Sequence, residues 1–195
     1  TLLGPIKRVS AFSATGFPTR RIFVGPDKGK DLQVETPTHY SGVLELENGV
    51  IVSMNISFDI WHSNLPLLEI YGTEGTLEVP DPNMSGGTPK VYRKERTLNS
   101  LYCESDETKA KQGKSQEVPE LYPDIGSYTR GIGVLDMAYA IREHRALRTD
   151  AKLARHVIEA ITGMMKAARE HEVYEMQTTC SIPEARKLGM MLGEL

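Results

Sequence analysis

The sequence predicts an α+β fold, an open and mainly antiparallel β-sheet with helices packed on one face. Three observations carry that reading. Strand-like runs come first along the chain, the dipeptide Asn48-Gly49 separates two of them, and the apolar repeat lengthens to a helical period in the last third.

The elements follow in order. Leu2-Leu3-Gly4-Pro5 reads as the end of a helix, because glycine takes the left-handed φ past a last turn and proline forbids continuation. The chain opens on Thr1 rather than methionine, so residues 1–4 are expected to be the tail of an upstream helix and the chain a piece of a longer protein. "IKRVSAFSA" is a first strand. Residues 16–35 hold Pro-Thr-Arg and Gly-Pro-Asp-Lys-Gly-Lys-Asp around a short apolar run, Ile22–Val24, and read as loop with an edge strand at best.

In "THYSGVLELENGVIVSMNISFDIW" two strand-forming runs flank Asn48-Gly49. A two-residue loop would set Leu44 against Ser53. A three-residue loop, Glu47 to Gly49, sets Leu46 against Val50, Leu44 against Val52, Tyr40 against Ile56 and Thr38 against Phe58. Every even position from 50 to 60 is then apolar, and since a one-residue slip inverts all side chains, the pattern selects this register. The other face carries His39, Ser41, Ser53, Asn55, Ser57, Asp59 and Trp61.

"LPLLEIYGTEGTLEVPDPN" is strand, glycine-bracketed turn and strand, stopped by Pro80 and Pro82; "PKVYR" is another strand. Residues 94–115 turn polar and read as a mobile loop, with "QEVPEL" returning as a strand. Ile132, Leu135, Met137, Ala138, Tyr139 and Ile141 then mark a helix. Thr149 or Asp150 caps a second, with Leu153, Val157, Ile158, Ile161, Met164, Met165 and Ala168 on its apolar stripe. "EVYEM" closes the sheet, and residues 184–195 predict a terminal helix. The whole, 1–195, reads as a single domain.

Composition excludes several function classes. A formal net charge of −3 with scattered charges argues against nucleic acid, and no apolar run is long enough to span a bilayer. Cys103 and Cys180 are too few for a disulfide framework and lack metal-ligand spacing, which fits a reducing, cytoplasmic setting.

The polar sheet face is the first place to look for chemistry. It is a solvated face, a surface for a second subunit, or the wall of a ligand cleft at its Asp59 end. An unpaired carboxylate in a dry interface is expensive, which favours a wet rim for Asp59; Trp61 offers a flat surface to a sugar ring or a partner. Asp59 and His62 have opposite parity on a regular strand, so no metal site of His39, Asp59 and His62 is expected. Arg130-Gly-Ile-Gly lacks the third glycine of a dinucleotide loop and reads as a helix start, with Arg130 able to face an anionic or hydroxylated ligand. His156 sits among apolar residues and reads as a core histidine. No complete catalytic constellation is present.

Taken together, "PTHYSGVLELENGVIVSMNISFDIW", "LEIYGTEGTLEVPDPN", "RGIGVLDMAYAIREHRALR" and "HVIEAITGMMKAA", in that order, resemble the C-terminal domain of the glucose–fructose oxidoreductase, inositol dehydrogenase and rhizopine-catabolism family (Gfo/Idh/MocA). The resemblance implies a two-domain NAD(P)-dependent oxidoreductase acting on a sugar, polyol or related hydroxylated substrate. NAD or NADP and the catalytic lysine belong to a preceding Rossmann domain, of which this chain holds neither the Glu-Lys-Pro nor the Asp-x-x-x-His motif. No catalytic, cofactor-binding or metal residue is therefore assigned here, and the chain alone is expected to be inactive. The matching strand carries substrate contacts in relatives, so Ser57, Asp59, Trp61, His62, His39 and Arg130 are the substrate-side candidates. A homodimer or homotetramer through the open sheet face is implied as well. The alternative is a non-catalytic dimerisation or small-molecule-binding module on the same scaffold.

Overall fold

The computed structural model describes residues 2–84, 87–93, 115–119 and 131–185. In chain order the strands are β1 (Ile6–Ala14), β2 (Thr19–Arg21), β3 (Asp31–Gln33), β4 (His39–Leu46), β5 (Ile51–Ser57), β6 (Leu68–Gly72), β7 (Gly75–Val79), β8 (Lys90–Arg93) and β9 (Gln116–Glu117). Among the described residues two helices follow, α1 (Ile132–Glu143) and α2 (Ala151–Glu170), and then the closing strand β10 (Tyr174–Glu175). All pairings are antiparallel, which makes the fold α+β as expected. The chain forms two compact units, residues 1–63 with 146–184 and residues 64–145 with 185–195.

The first unit is built on a sheet of order β10-β1-β4-β5, with α2 lying across β1. Val9, Ala11, Leu44 and Leu46 from the sheet and Met164 and Ala168 from α2 make its buried core, with Val50, Val52 and Met54 packed against it. The β4–β5 register is the one the apolar pattern selects: Leu44 faces Val52, Tyr40 faces Ile56, and His39 faces Ser57. The Leu46 N–H donates to the Val50 carbonyl at 2.9 Å, so the loop is Glu47 to Gly49. Gly49 sits at φ +85°, where an L side chain is strained. Gly49→Ala is expected to lower stability by about 1 kcal/mol without changing the register, measured by urea denaturation.

Two expectations need correction here. Ile56, Phe58 and Ile60 share parity with Val52 and Met54 yet are 45%, 77% and 59% exposed. The buried cluster ends at Met54, so the strand outruns its cover. On α2 the buried stripe is Leu153, His156, Gly163, Met164, Ala167 and Ala168, while Val157, Ile158, Ile161 and Met165 are exposed. Small residues let the helix lie close to the sheet, and a histidine finds partners there, so hydrophobicity placed Leu153, Met164 and Ala168 correctly but turned the rest of the stripe away from the buried face. Asp150 is the N-cap, its Oδ1 accepting the Leu153 N–H at 2.8 Å.

The sheet face away from α2 carries Arg8, Ser10 and Phe12 of β1, Ser41, Val43 and Glu45 of β4, and Ile51, Ser53 and Asn55 of β5. It is more mixed than the polar face read from the sequence, with Phe12, Val43 and Ile51 exposed. Residues 16–35 are more ordered than expected. The strand lies not at Ile22–Val24 but in the ribbon β2–β3, with Arg20 facing Leu32.

The second unit holds a sheet of order β6-β7-β8-β9 and helix α1. Gly72 pairs with Gly75 at the tight turn between β6 and β7, as the glycines predict. Glu69 and Glu78 face each other across these strands, a like-charge pair that Lys90 moderates. Lys90 Nζ lies 3.0 Å from Glu78, and with the Tyr92 hydroxyl it holds that carboxyl below its ordinary value. Gly131 is the N-cap of α1, so Gly131 does open a helix. Asp136 is buried on α1 because Arg145 pairs with it at 2.7 Å. The loop expected over 94–115 and the helix expected over 184–195 fall almost wholly outside the described residues, with 184 and 185 not helical, and Cys103 and Arg130 lie outside them as well.

Candidate functional site

The far end of the β4–β5 hairpin gathers most of the sequence candidates. β5 stops at Ser57 rather than running to Trp61. The Asp59 N–H turns back to the Ser57 hydroxyl at 3.1 Å, a local bond that competes with the ladder, although Phe58 N–H still reaches the Thr38 carbonyl at 2.9 Å. Trp61 is 92% exposed beyond that bend. Its ring meets Phe17 edge-on, the centroids 6.3 Å apart.

His39 lies directly across from Ser57, both on the sheet face away from α2, and its ring makes no hydrogen bond among the described residues. With its hydroxyl oxygen accepting from Asp59, Ser57 keeps its own proton to donate outward. A histidine nitrogen, a hydroxyl and an indole within one strand end suit a ligand that offers hydroxyl groups. His62 is exposed at the same end of the hairpin.

Asp59 is placed differently from the wet-rim expectation. Its side chain is 13% exposed and its bonds are made within the chain. Oδ2 accepts from the Thr38 hydroxyl at 2.5 Å and the Gly16 N–H at 3.1 Å, and Oδ1 accepts from Arg20 Nη2 at 2.6 Å. The Thr38 hydroxyl, aided by the Gly16 N–H and the Arg20 charge, holds this carboxyl below its ordinary value in spite of burial. Sequence reasoning missed Gly16, Arg20 and Thr38. They lie 43, 39 and 21 residues from Asp59 along the chain. Thr38 is brought to it by the β4–β5 hairpin, through its bond to Phe58, whereas Gly16 and Arg20 arrive through the pairing of β1 with β4 and the path of residues 15–37.

His156 is a core residue, as expected. The Ile6 N–H donates to its Nε2 at 2.9 Å, so the ring proton is on Nδ1, which faces the Thr178 carbonyl at 3.0 Å. Cys180 is half-buried, and burial pushes its thiol up, the wrong direction for a nucleophile. Among the described residues no three His, Cys, Asp or Glu side chains come together in a group that could hold a metal, and no helix is long and apolar enough to cross a membrane.

Comparison with known proteins agrees with the motifs. Residues 1–78 match the GFO/IDH/MocA C-terminal domain, the family the sequence resembles, and this stretch includes the whole strand end described above. No curated protein matches the sequence. Among solved structures, levoglucosan dehydrogenase in its apo form has a TM-score of 0.63 at 17% identity, over 90% of this chain and 47% of that one. An oxidoreductase domain protein from Kribbella flavida has a TM-score of 0.55 at 15% identity, over 92% and 46%. An oxidoreductase from Agrobacterium radiobacter, solved with NAD+, L-tartaric acid and magnesium, has a TM-score of 0.53 at 12% identity, over 89% and 44%. At such identities the likeness is one of fold. The chain spans less than half the length of these structures.

Proposed function

We propose that this chain is the substrate-side and assembly domain of an NAD(P)-dependent oxidoreductase acting on a sugar, polyol or related hydroxylated compound. The observation that carries the proposal is the family match over residues 1–78, which includes the strand end bearing His39, Ser57, Asp59, Trp61 and His62. Levoglucosan dehydrogenase, which shares the fold, has been solved with NADH and levoglucosan and with NADH and L-sorbose, which supports a hydroxylated substrate.

In this reading His39, Ser57 and Trp61 touch the substrate, with His62 at its margin and Asp59 behind them. The nicotinamide and the proton-handling lysine would come from a nucleotide-binding half of the intact protein, so the chain alone binds neither cofactor nor turns over. The hydride chemistry is the cofactor's; these residues orient hydroxyl groups toward it. The mixed sheet face with Phe12, Val43 and Ile51 packs against a second copy, Arg8 and Glu45 offering charges of both signs to a symmetric partner.

The test is made on the natural full-length protein. NADH and NADPH are titrated, and nicotinamide absorbance is followed across a panel of sugars and polyols. Binding with turnover of a polyol is the expected result. Binding of neither nucleotide would sink the oxidoreductase reading and leave a non-catalytic binding or assembly module.

A further inference from the structure

We infer that residues 15–37 form a strap whose setting beside the candidate wall is governed by one carboxylate, Asp59, acting as a positioning residue rather than a ligand contact. The inference rests on the reading of His39, Ser57 and Trp61 as a substrate wall. The strap leaves and rejoins the sheet at a narrow neck, where Ala14 faces His39 and the Thr38 N–H donates to the Ala14 carbonyl at 3.0 Å. Between those points it is held together by its own bonds: the β2–β3 ribbon, Ile22 N–H to the Lys30 carbonyl, and Val34 N–H to the Pro18 carbonyl.

Among the described residues, every hydrogen bond from 15–37 to the rest of its unit ends on Phe58 or Asp59. Gly16 N–H and Arg20 Nη2 reach the Asp59 carboxylate, and Arg20 Nη2 also reaches the Phe58 carbonyl at 3.0 Å. The Thr38 hydroxyl, just past the exit, binds the same carboxylate. One side chain thus ties the entry, the ribbon and the exit together.

Three further observations bear on the latch. A Cβ on Gly16 would lie 2.9 Å from both Asp59 Cγ and Oδ2, so the latch closes only because that residue is glycine. Arg20 Nε is buried without a hydrogen-bond partner among the described residues, so Arg20 holds the latch through Nη2 alone. The tip is unsupported, with Phe23 75% and Val24 80% exposed.

The strap also touches the wall. The Arg20 guanidinium lies 5.7 Å from the centre of the Phe17 ring, and Phe17 in turn packs on Trp61. Motion of the strap therefore changes the support of Trp61, which places the strap at the edge of the site as a part that closes on a hydroxylated ligand.

The test compares wild type, Asp59→Asn and Gly16→Ala by hydrogen exchange in the full-length protein. Amides of 16–35 are expected to exchange about tenfold faster in both variants, with β1, β4 and β5 unchanged. Unchanged strap exchange in both variants, or equal acceleration throughout the hairpin, overturns the inference. The same variants are then assayed with a polyol substrate. A raised KM with little loss of kcat supports the strap as part of the site. Faster strap exchange with KM unchanged keeps the latch and removes the wall reading instead.

Discussion

Replacing His156 with leucine is expected to destabilise the protein by about 3 kcal/mol, the largest effect of any single change considered. The side chain is 2% exposed and touches two segments far apart in the sequence. Its Nε2 takes the Ile6 N–H at the start of β1, beside the register shift between Ile6 and Arg8, and its Nδ1–H serves the Thr178 carbonyl. Leucine fills most of the volume but leaves one part-buried donor and one part-buried acceptor unpaired, each costing about 1–3 kcal/mol. Urea denaturation gives the value directly. A loss under about 1 kcal/mol would mean that the two backbone groups find other partners.

Glu159 supplies the second large effect. From one turn along α2 its carboxylate accepts four hydrogen bonds from the closing segment: the Tyr174 hydroxyl at 3.1 Å, the Gln177 N–H at 2.6 Å, the Thr178 N–H at 2.9 Å and the Thr178 hydroxyl. Partial burial pushes this carboxyl up, but the Thr178 hydroxyl and the other donors outweigh it and hold it below the ordinary value of 4.5. Because the folded state holds the proton less tightly than the unfolded one, the contribution is present above the ordinary value. It fades as pH falls toward and through the lower folded-state value. Glu159→Ala is expected to lower stability by about 2 kcal/mol at pH 7. Glu159→Gln should lose its difference from wild type as acidification carries the carboxyl through its lowered folded-state value, followed by denaturation at a series of decreasing pH values. A difference that persists at low pH would show that the amide disrupts packing rather than charge. Thr178 joins this carboxylate to His156, so the two substitutions together are expected to fall short of the sum of their separate effects.

How much of this was legible beforehand follows from the range of each signal. The β4–β5 register was readable because a period of two compares neighbours on one hairpin, and a wrong register would have set Leu44 against Ser53. Asp150 announced its helix because a cap acts within three residues. The α2 face was legible only in Leu153, Met164 and Ala168, because the rest of its buried stripe includes His156 and Gly163, residues chosen for bonds and close approach rather than hydrophobicity. Gly163 is needed there: a Cβ at that place would lie 2.5 Å from the Tyr174 ring. The site was half legible. His39 opposite Ser57 and Thr38 opposite Phe58 follow from register alone, whereas Gly16 and Arg20 reach Asp59 through the β1–β4 pairing and the path of the strap, which no local pattern encodes.

The narrow neck at Ala14 and His39 has a structural consequence. Because the two strands already meet there, the polypeptide between them can be lengthened, shortened or exchanged while the sheet keeps its register, and the entropic penalty of a longer closed loop grows only logarithmically with its length. A change in the length or make-up of residues 15–37 therefore leaves the β4–β5 hairpin beneath in register while altering what lies beside Trp61.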